Sequence, residues 1–279
     1  MVWDGIVACD LFFAGMGAWT FVFAVLAAGR DDASRKAKLA GVAVAFVAVA
    51  LDARGGLLNP LRYFNLLGNF GSVMTWGVVL ISLFLVGAFV CGVLLVLKRN
   101  VPRALEVVTA VLGVGVSLYT GVLLSTAPAF PLWNLAVLPV AFVVSAAYTG
   151  YAAYALAARF TLPSGTALPA WTGKVALVLP VLEVVALVAL LVVVSATTGS
   201  AAPYAIQSVA NLLTGSNAVV FWGGVVAVGL AAPFALALVR TRKGEAAPSW
   251  FGVAEAVCIL TGGFAVRYAV IMAAVPMFA

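Results

Sequence analysis

Histidine is absent from this 279-residue chain, cysteine occurs three times, and charged residues make up only 9% of it. Each scarcity removes a chemistry. Without histidine there is no bis-imidazole haem ligation, no imidazole proton shuttle and no histidine metal site. Cys9, Cys91 and Cys258 are far apart in sequence, which excludes an iron–sulfur cluster or a thiolate zinc site held by this chain alone. They read as buried small hydrophobes. A soluble domain carries about 25% charged residues, so the charge deficit argues against an aqueous protein.

What fills the chain is apolar: 65% of residues are hydrophobic and the mean hydropathy is +1.20. The apolar residues come in runs of about twenty, the length that crosses a ~30 Å hydrocarbon core. Eight runs bounded by charge or Pro/Gly clusters predict an all-α integral membrane protein with helices at about 5–29, 39–58, 72–97, 104–125, 134–158, 175–196, 218–239 and 251–275. The connections between them leave no length for a soluble domain, a nucleotide-binding module or a long tail. The second run is interrupted by Asp52 and Arg54. The first lacks a preceding basic stretch and carries Asp4 and Asp10, unlike a cleaved signal peptide.

The basic residues assign a side to each connection. Those after helices one, three, five and seven contain Arg30, Arg35, Lys36, Lys38, Lys98, Arg99, Arg103, Arg159, Lys174, Arg240, Arg242 and Lys243, leaving Arg54, Arg62 and Arg267 of the fifteen. The positive-inside rule places that side in the cytoplasm and both termini outside. Trp3, Trp133, Trp171 and Trp250 fall at span ends, with Trp76 and Trp222 close by, as an interfacial belt requires. The outer connections, 58–71, 126–133 and 197–217, are apolar and rich in Pro, Gly and Asn, which suits a docking surface better than a solvated linker.

Ionisable groups inside spans cost about 2.5–3.5 kcal/mol each on insertion scales. Asp10, Asp52 and Arg267 lie in outer halves, and Glu106, Glu183 and Glu255 in inner halves. Glu106 and Glu255 are near enough to helix ends to snorkel to water. Arg267 paired with Asp10 or Asp52 is the structural reading of the outer charges. The functional reading is a polar cavity lined by the outer carboxylates and Arg267, with Glu183 extending a proton route inward. Tyr119, Trp133 and Asn134 gather on the same side. An apolar pocket with a few hydrogen-bonding groups fits a flat redox headgroup such as a quinone, whose carbonyls tyrosine and asparagine bind and whose protons a carboxylate accepts.

Order and spacing add a resemblance. Leu51-Asp52, Pro60, Arg62-Tyr63-Phe64 and the Ser72–Gly77 stretch with Met74 resemble the segment joining the second and third helices of the NrfD/PsrC-type family, the membrane subunits of polysulfide reductases and related molybdoenzymes. Ser117-Leu118-Tyr119-Thr120-Gly121, then Pro131-Leu132-Trp133-Asn134 and Pro139, look like the family's fourth and fifth helices. Gly262-Gly263 with Arg267-Tyr268 is similar to its last helix, and the opening Leu11-Phe12-Phe13 with Gly15 and Gly17 to its first. The resemblance implies two four-helix bundles, here 1–125 and 126–279, with a quinone site near the outer face of the first. It implies a quinone, expected to be menaquinone, as the one cofactor. As partners it implies a ferredoxin-like iron–sulfur subunit on the outer loops and a molybdopterin catalytic subunit beyond, in a prokaryotic cytoplasmic membrane. Tyr119 falls on the family's quinone-contacting tyrosine. Asp10 falls on a polar, proton-accepting position of helix one, and Val7 on a position that is polar in some members. Asp52 and Arg267 match motif positions, whereas Glu183 matches none.

Two other classes compete. A proton- or ion-coupled secondary transporter suits eight helices, the midmembrane Glu183 and the Gly/Pro interruptions near Asn211 and Gly215. The halves share only the triplets Tyr119–Gly121 and Tyr148–Gly150, which close helix packing also explains. A pure anchor for a soluble enzyme has no need of the intramembrane charges.

Overall fold

A computed structural model describes residues 5–27, 32–57, 69–162, 169, 171–244 and 250–277, with 32–34 and 52–57 as backbone alone. The described residues form helices throughout: α1 (Gly5–Leu26), α2 (Asp32–Leu57), α3 (Val73–Val96), α4 (Arg103–Ser125), α5 (Leu138–Thr161), α6 (Trp171–Ser195), a short α7 (Ala202–Leu213), α8 (Val220–Lys243) and α9 (Phe251–Met272). Seven of them, all but α2 and α7, are long and apolar enough to cross a membrane. The chain is a multi-pass membrane protein.

The expected second span corresponds to α2, a helix with other bounds that is not among those seven. It starts before residue 39, at Asp32, and takes in Arg35, Lys36 and Lys38. The extension has a physical reason, because Lys38 is buried and forms an ion pair with Glu106 of α4. The connection 197–217 is structured: it folds into a 3-10 turn and α7, whose Ala205, Ser208 and Leu212 face inward. Helix five begins at Leu138, so Trp133 and Asn134 belong to the turn before it. The helix opening at Val220 is π-helical to Ala231 and α-helical from Ala232 to Lys243, an unusually long π segment.

Helix ends follow local chemistry. α3 stops where Arg99 N–H donates to Leu94 O and Lys98 turns left-handed, and α4 starts directly after Pro102. Lys98, Arg99 and Arg103 therefore crowd one end of the bundle, which is called the basic end below. Arg159, Arg240, Arg242 and Lys243 also lie at that end, in the last turns of helices running the same way as α3. At the opposite end, α9 runs into a tail that ties the connections together. Met277 N–H donates to Ala129 O, Val275 N–H to Ser208 Oγ, and Trp133 Nε1–H to Val270 O.

α1 and α5 occupy the middle. α1 packs most extensively on α2 and α5, and it also touches α4 and α9. Small residues permit the approach: a Cβ on Gly15 would stand 2.9 Å from Ala146 of α5, and one on Gly17 2.8 Å from Ala48 of α2. Gly150 abuts Trp19 and Thr20, and Gly262 lies on Gly229 where α9 crosses α8. One buried cluster joins α1 to α2, α3 and α4 through Phe21, Val42, Phe84 and Val116. A second gathers α5, α6, α7, α8 and α9 around Phe142, Tyr151, Leu190, Phe221 and Ile259. Trp76, Trp222 and Trp250 are exposed near helix ends, as an interfacial belt needs, whereas Trp133 is buried and Trp171 stacks on Phe23.

Candidate functional site

At the end opposite the basic residues, Tyr119 of α4 is half-buried and its ring lies against Gly77 of α3, where any Cβ would fall inside the ring. The neighbouring turn of α4 is tied to α1, since Trp19 Nε1–H donates to Ser117 Oγ at 3.0 Å. Asp10 is half-buried on α1, about 7.5 Å along the axis from the helix start. By helical spacing it shares a face with Phe13 and Gly17, and Gly17 packs on Ala45, Ala48 and Val49 of α2. Asp10 therefore stands on the side of α1 that faces α2. Asp52 lies near the far end of α2, and Pro60, Arg62, Tyr63 and Phe64 fall outside the described residues. Asn134 Oδ1 accepts the Ala136 N–H at 2.9 Å and braces the turn into α5. Trp133 stacks on Phe130 with ring centroids 4.2 Å apart. The bond to Val270 makes Trp133 part of the contact with α9.

The charges within the spans are arranged differently from the sequence expectation. Arg267 is fully buried at 0% exposure. Its Nη1 donates to Ser145 Oγ and Gly263 O, both at 2.9 Å, and its Nε to Leu11 O at 3.3 Å. The rings of Phe12 and Phe142 flank the guanidinium, with centroids 5.7 and 5.4 Å away. The carboxylate acting on it is Glu183 of α6, which is 3% exposed and also hydrogen-bonded to Ser145. The pairing of Arg267 with Asp10 or Asp52 gives way to this arrangement. Four helices meet at one arginine: α1, α5, α6 and α9.

Glu106 and Glu255 do not snorkel; both are buried and paired. Glu106 binds Lys38 and, at 3.0 Å, Arg103, while Glu255 sits 3.1 Å from Arg240. Removing a carboxylate from water is offset only by such partners. Cys91 is buried beside Thr109 near the Lys38–Glu106 pair, and Cys9 and Cys258 are half-buried. Among the described residues no three His, Cys, Asp or Glu side chains come together as a metal site.

Sequence reasoning reads Tyr148 only as part of a packing triplet and does not single out Ser145 or Tyr151. Their signal is the three-residue spacing of polar groups along α5, a helix otherwise rich in alanine.

The fold and this arrangement define an all-helical, multi-pass membrane protein with paired and networked charges inside its spans and with polar residues toward one face. The chain belongs to the NrfD polysulphide reductase family, whose pattern matches residues 1–279. It is 32% identical over 307 aligned positions to the C subunit of the polysulfide reductase of Wolinella succinogenes, covering 98% of this sequence and 94% of that one. It is 29% identical over 184 positions to protein NrfD of Escherichia coli K12, covering 54% of this sequence and 58% of that one.

Proposed function

We propose that the chain is the quinone-interacting membrane subunit of a respiratory oxidoreductase complex, exchanging electrons between the membrane quinone pool and an iron–sulfur partner. Membership of the family along the whole chain, and a relative named as one subunit of polysulfide reductase, support a place in a multi-subunit oxidoreductase. The observation that carries the quinone reading is Tyr119, a half-buried phenol seated over Gly77 within about 9 Å of the end of α4. A glycine-floored aromatic wall suits a flat ring, and the phenol O–H is a donor suited to a quinone oxygen.

In this reading a bound quinol supplies two electrons and two protons. Tyr119 orients the ring by hydrogen bonding. Asp10 accepts a proton, and Asp52 passes it outward. Trp133 and Asn134 hold the adjoining turn, because Trp133 Nε1–H is engaged by Val270 and Asn134 Oδ1 by Ala136. Arg267 and Glu183 form a separate proton-handling group deeper in the protein. The half built on 1–125 then carries the quinone site and 126–279 the Arg267–Glu183 group. Both termini face outward in a prokaryotic cytoplasmic membrane, where the tied connections at the non-basic end seat a ferredoxin-like subunit with a molybdopterin subunit beyond. The chain offers no histidine and no cysteine cluster to carry electrons onward, so a quinone near that face would pass them directly to the partner's nearest cluster.

Two experiments test this. A mild-detergent pull-down of the tagged chain from its host should bring an iron-rich, multi-cysteine partner, molybdenum and quinone. A chain that emerges alone, without iron or quinone, moves the reading to a transporter. Tyr119→Phe and Asp10→Asn should each cut quinol-dependent turnover by about 10²-fold while the partner still co-purifies; normal turnover in both removes the site.

A further inference from the structure

We propose that Glu183 is a proton-binding site that exchanges with the basic end alone, along a buried path through Glu255, Tyr151 and Tyr148, and that Arg267 closes it toward the opposite face.

The path is read from depth and contact. Measured along the helix axes from the end opposite the basic residues, Arg267 lies at about 7.5 Å, Ser145 at about 10 Å, Tyr148 at about 15 Å, Glu183 at about 18 Å, Tyr151 at about 20 Å and Glu255 at about 25 Å. Along the path Glu255, Tyr151, Tyr148 and Glu183, each group is in electrostatic reach of the next. Glu183 meets Ser145 and Arg267. Tyr148 feels Glu183, Glu255, Tyr151 and Cys258. Tyr151 is hydrogen-bonded to Arg240 beside Glu255, and Arg159 acts on Glu255 as well. The charged and titratable groups around the path therefore come from every long helix of this half: α5, α6, α8 and α9.

Burial separates these groups from an ordinary polar patch. Tyr148 is 2% exposed and Glu183 and Glu255 are each 3%. Tyr148 Oη and Glu183 Oε1 nevertheless form no hydrogen bond among the described residues, and Glu255 Oε2, though close to the Arg240 guanidinium, forms none either. Buried polar atoms are rarely left so, because each one costs desolvation without return. Two of them side by side, Tyr148 Oη and Glu183 Oε1, with Tyr151 and the ion-paired Glu255 leading to them, suit a proton path, with bound water spanning any gap too long for a direct bond.

The two ends differ. Near the basic end, Arg240 is part-exposed and touches Glu255, so water reaches the arginine that contacts this carboxylate. At the other end Arg267 remains protonated at all ordinary pH. It is held by Ser145, Gly263 and Leu11 and walled by Phe12 and Phe142. A fixed positive charge in an apolar collar repels a proton and provides no acceptor. The transfer balances simply. A proton from water at the basic end reaches the Glu255 carboxylate. Tyr151 and Tyr148 each pass on their hydroxyl proton while receiving another, and Glu183 ends as a carboxylic acid. No electrons move. The inference does not depend on the quinone reading, which concerns α1, α3 and α4.

The test uses the whole complex, purified from its host and reconstituted in one orientation in liposomes, with the proton itself as probe. Infrared difference spectra after a pH step on one side should show a carboxyl C=O band that is missing in Glu183→Gln. The band should answer to pH on the basic side only, and Tyr148→Phe should slow its response at least about tenfold. A band that follows the opposite side, an unslowed Tyr148→Phe, or no band lost in Glu183→Gln overturns the proposal. Should Glu183→Gln fail to assemble, Glu183→Asp must shift the band, and an unshifted band overturns the proposal equally. No quinol is used, so failure here leaves the quinone reading standing, and failure of that reading leaves this one.

Discussion

Glu106 and Glu255 occupy equivalent places, each within the first turn or so of a helix that starts at the basic end, where the helix dipole favours a carboxylate. Their surroundings differ. Glu106 has one oxygen on Lys38 and the other on Arg103, with Cys91 and Thr109 just above it before Phe84 and Val116 close the core. Glu255 has Arg240 beside it and, above it, Tyr151, Tyr148, Glu183 and Arg267. The first acid is enclosed by its partners, while the second opens onto a column. A buried carboxylate near a helix end is thus not a functional signal in itself; what stands on its inward side decides whether it locks helices together or begins a path.

The comparison breaks most easily at the enclosed pair. Lys38→Met leaves Glu106 with only the exposed Arg103 and should destabilise the chain by about 3–5 kcal/mol, the cost of stranding one member of a buried pair. Thermal unfolding in detergent reads this as a large fall in midpoint, and adding Glu106→Gln should restore most of it. If Lys38→Met unfolds like the parent, the lock is not structural. A comparable test of packing is Gly262→Val, which drives a side chain into Gly229 of α8 and should cost about 1–3 kcal/mol or disrupt the crossing of α8 with α9.

Ser145→Ala sharpens the other side of the comparison. The hydroxyl serves both Arg267 and Glu183, so its loss should cost about 1.5–3 kcal/mol, the range for hydrogen bonds to charged groups. Ser145→Thr, which keeps the hydroxyl, should recover part of it. Equal stability of parent and Ser145→Ala would mean that the arginine is held by Gly263 and Leu11 alone. Gly77→Ala acts on the first half: its Cβ displaces the Tyr119 ring, so quinol-dependent turnover should fall about as far as in Tyr119→Phe while stability changes less than in Lys38→Met. Retained turnover would separate Tyr119 from the quinone.

Depth was legible in the sequence and lateral neighbours were not. The apolar runs placed seven spans within a few residues, because hydrophobic length and basic flanks are one-dimensional properties. The sequence puts Arg267 in the half away from the basic end, where it lies, but does not identify its partner. Asp10 and Ser145 lie at similar depth, and only the packing of α9 between α1 and α5 selects between them. α7 is hidden for another reason: its inward residues Ala205, Ser208 and Leu212 are too few, and too mixed with Pro203 and Asn211, to stand out as a helix within an uncharged, apolar connection. Lys38 was counted as a connection charge, since a lysine drawn inward by an acid on another helix looks the same in sequence as one in water.

The smallest expected effect concerns Asn134, and it decides how far the site extends. Its Oδ1 accepts the Ala136 N–H, a local bond worth about 0.5–1.5 kcal/mol. Asn134→Ala should lose that amount, whereas Asn134→Asp keeps the acceptor oxygen and should lose less. If the amide only braces the turn into α5, both variants turn over quinol at the parental rate once assembled. Asn134→Asp separates the two roles, because it retains the brace and removes the Nδ2 donor. A stable Asn134→Asp complex with reduced turnover would assign the missing donor to the quinone and enlarge the site from Tyr119 and Asp10 to the mouth of α5. Turnover retained in both would confine Asn134 to holding the turn that Trp133 ties to α9.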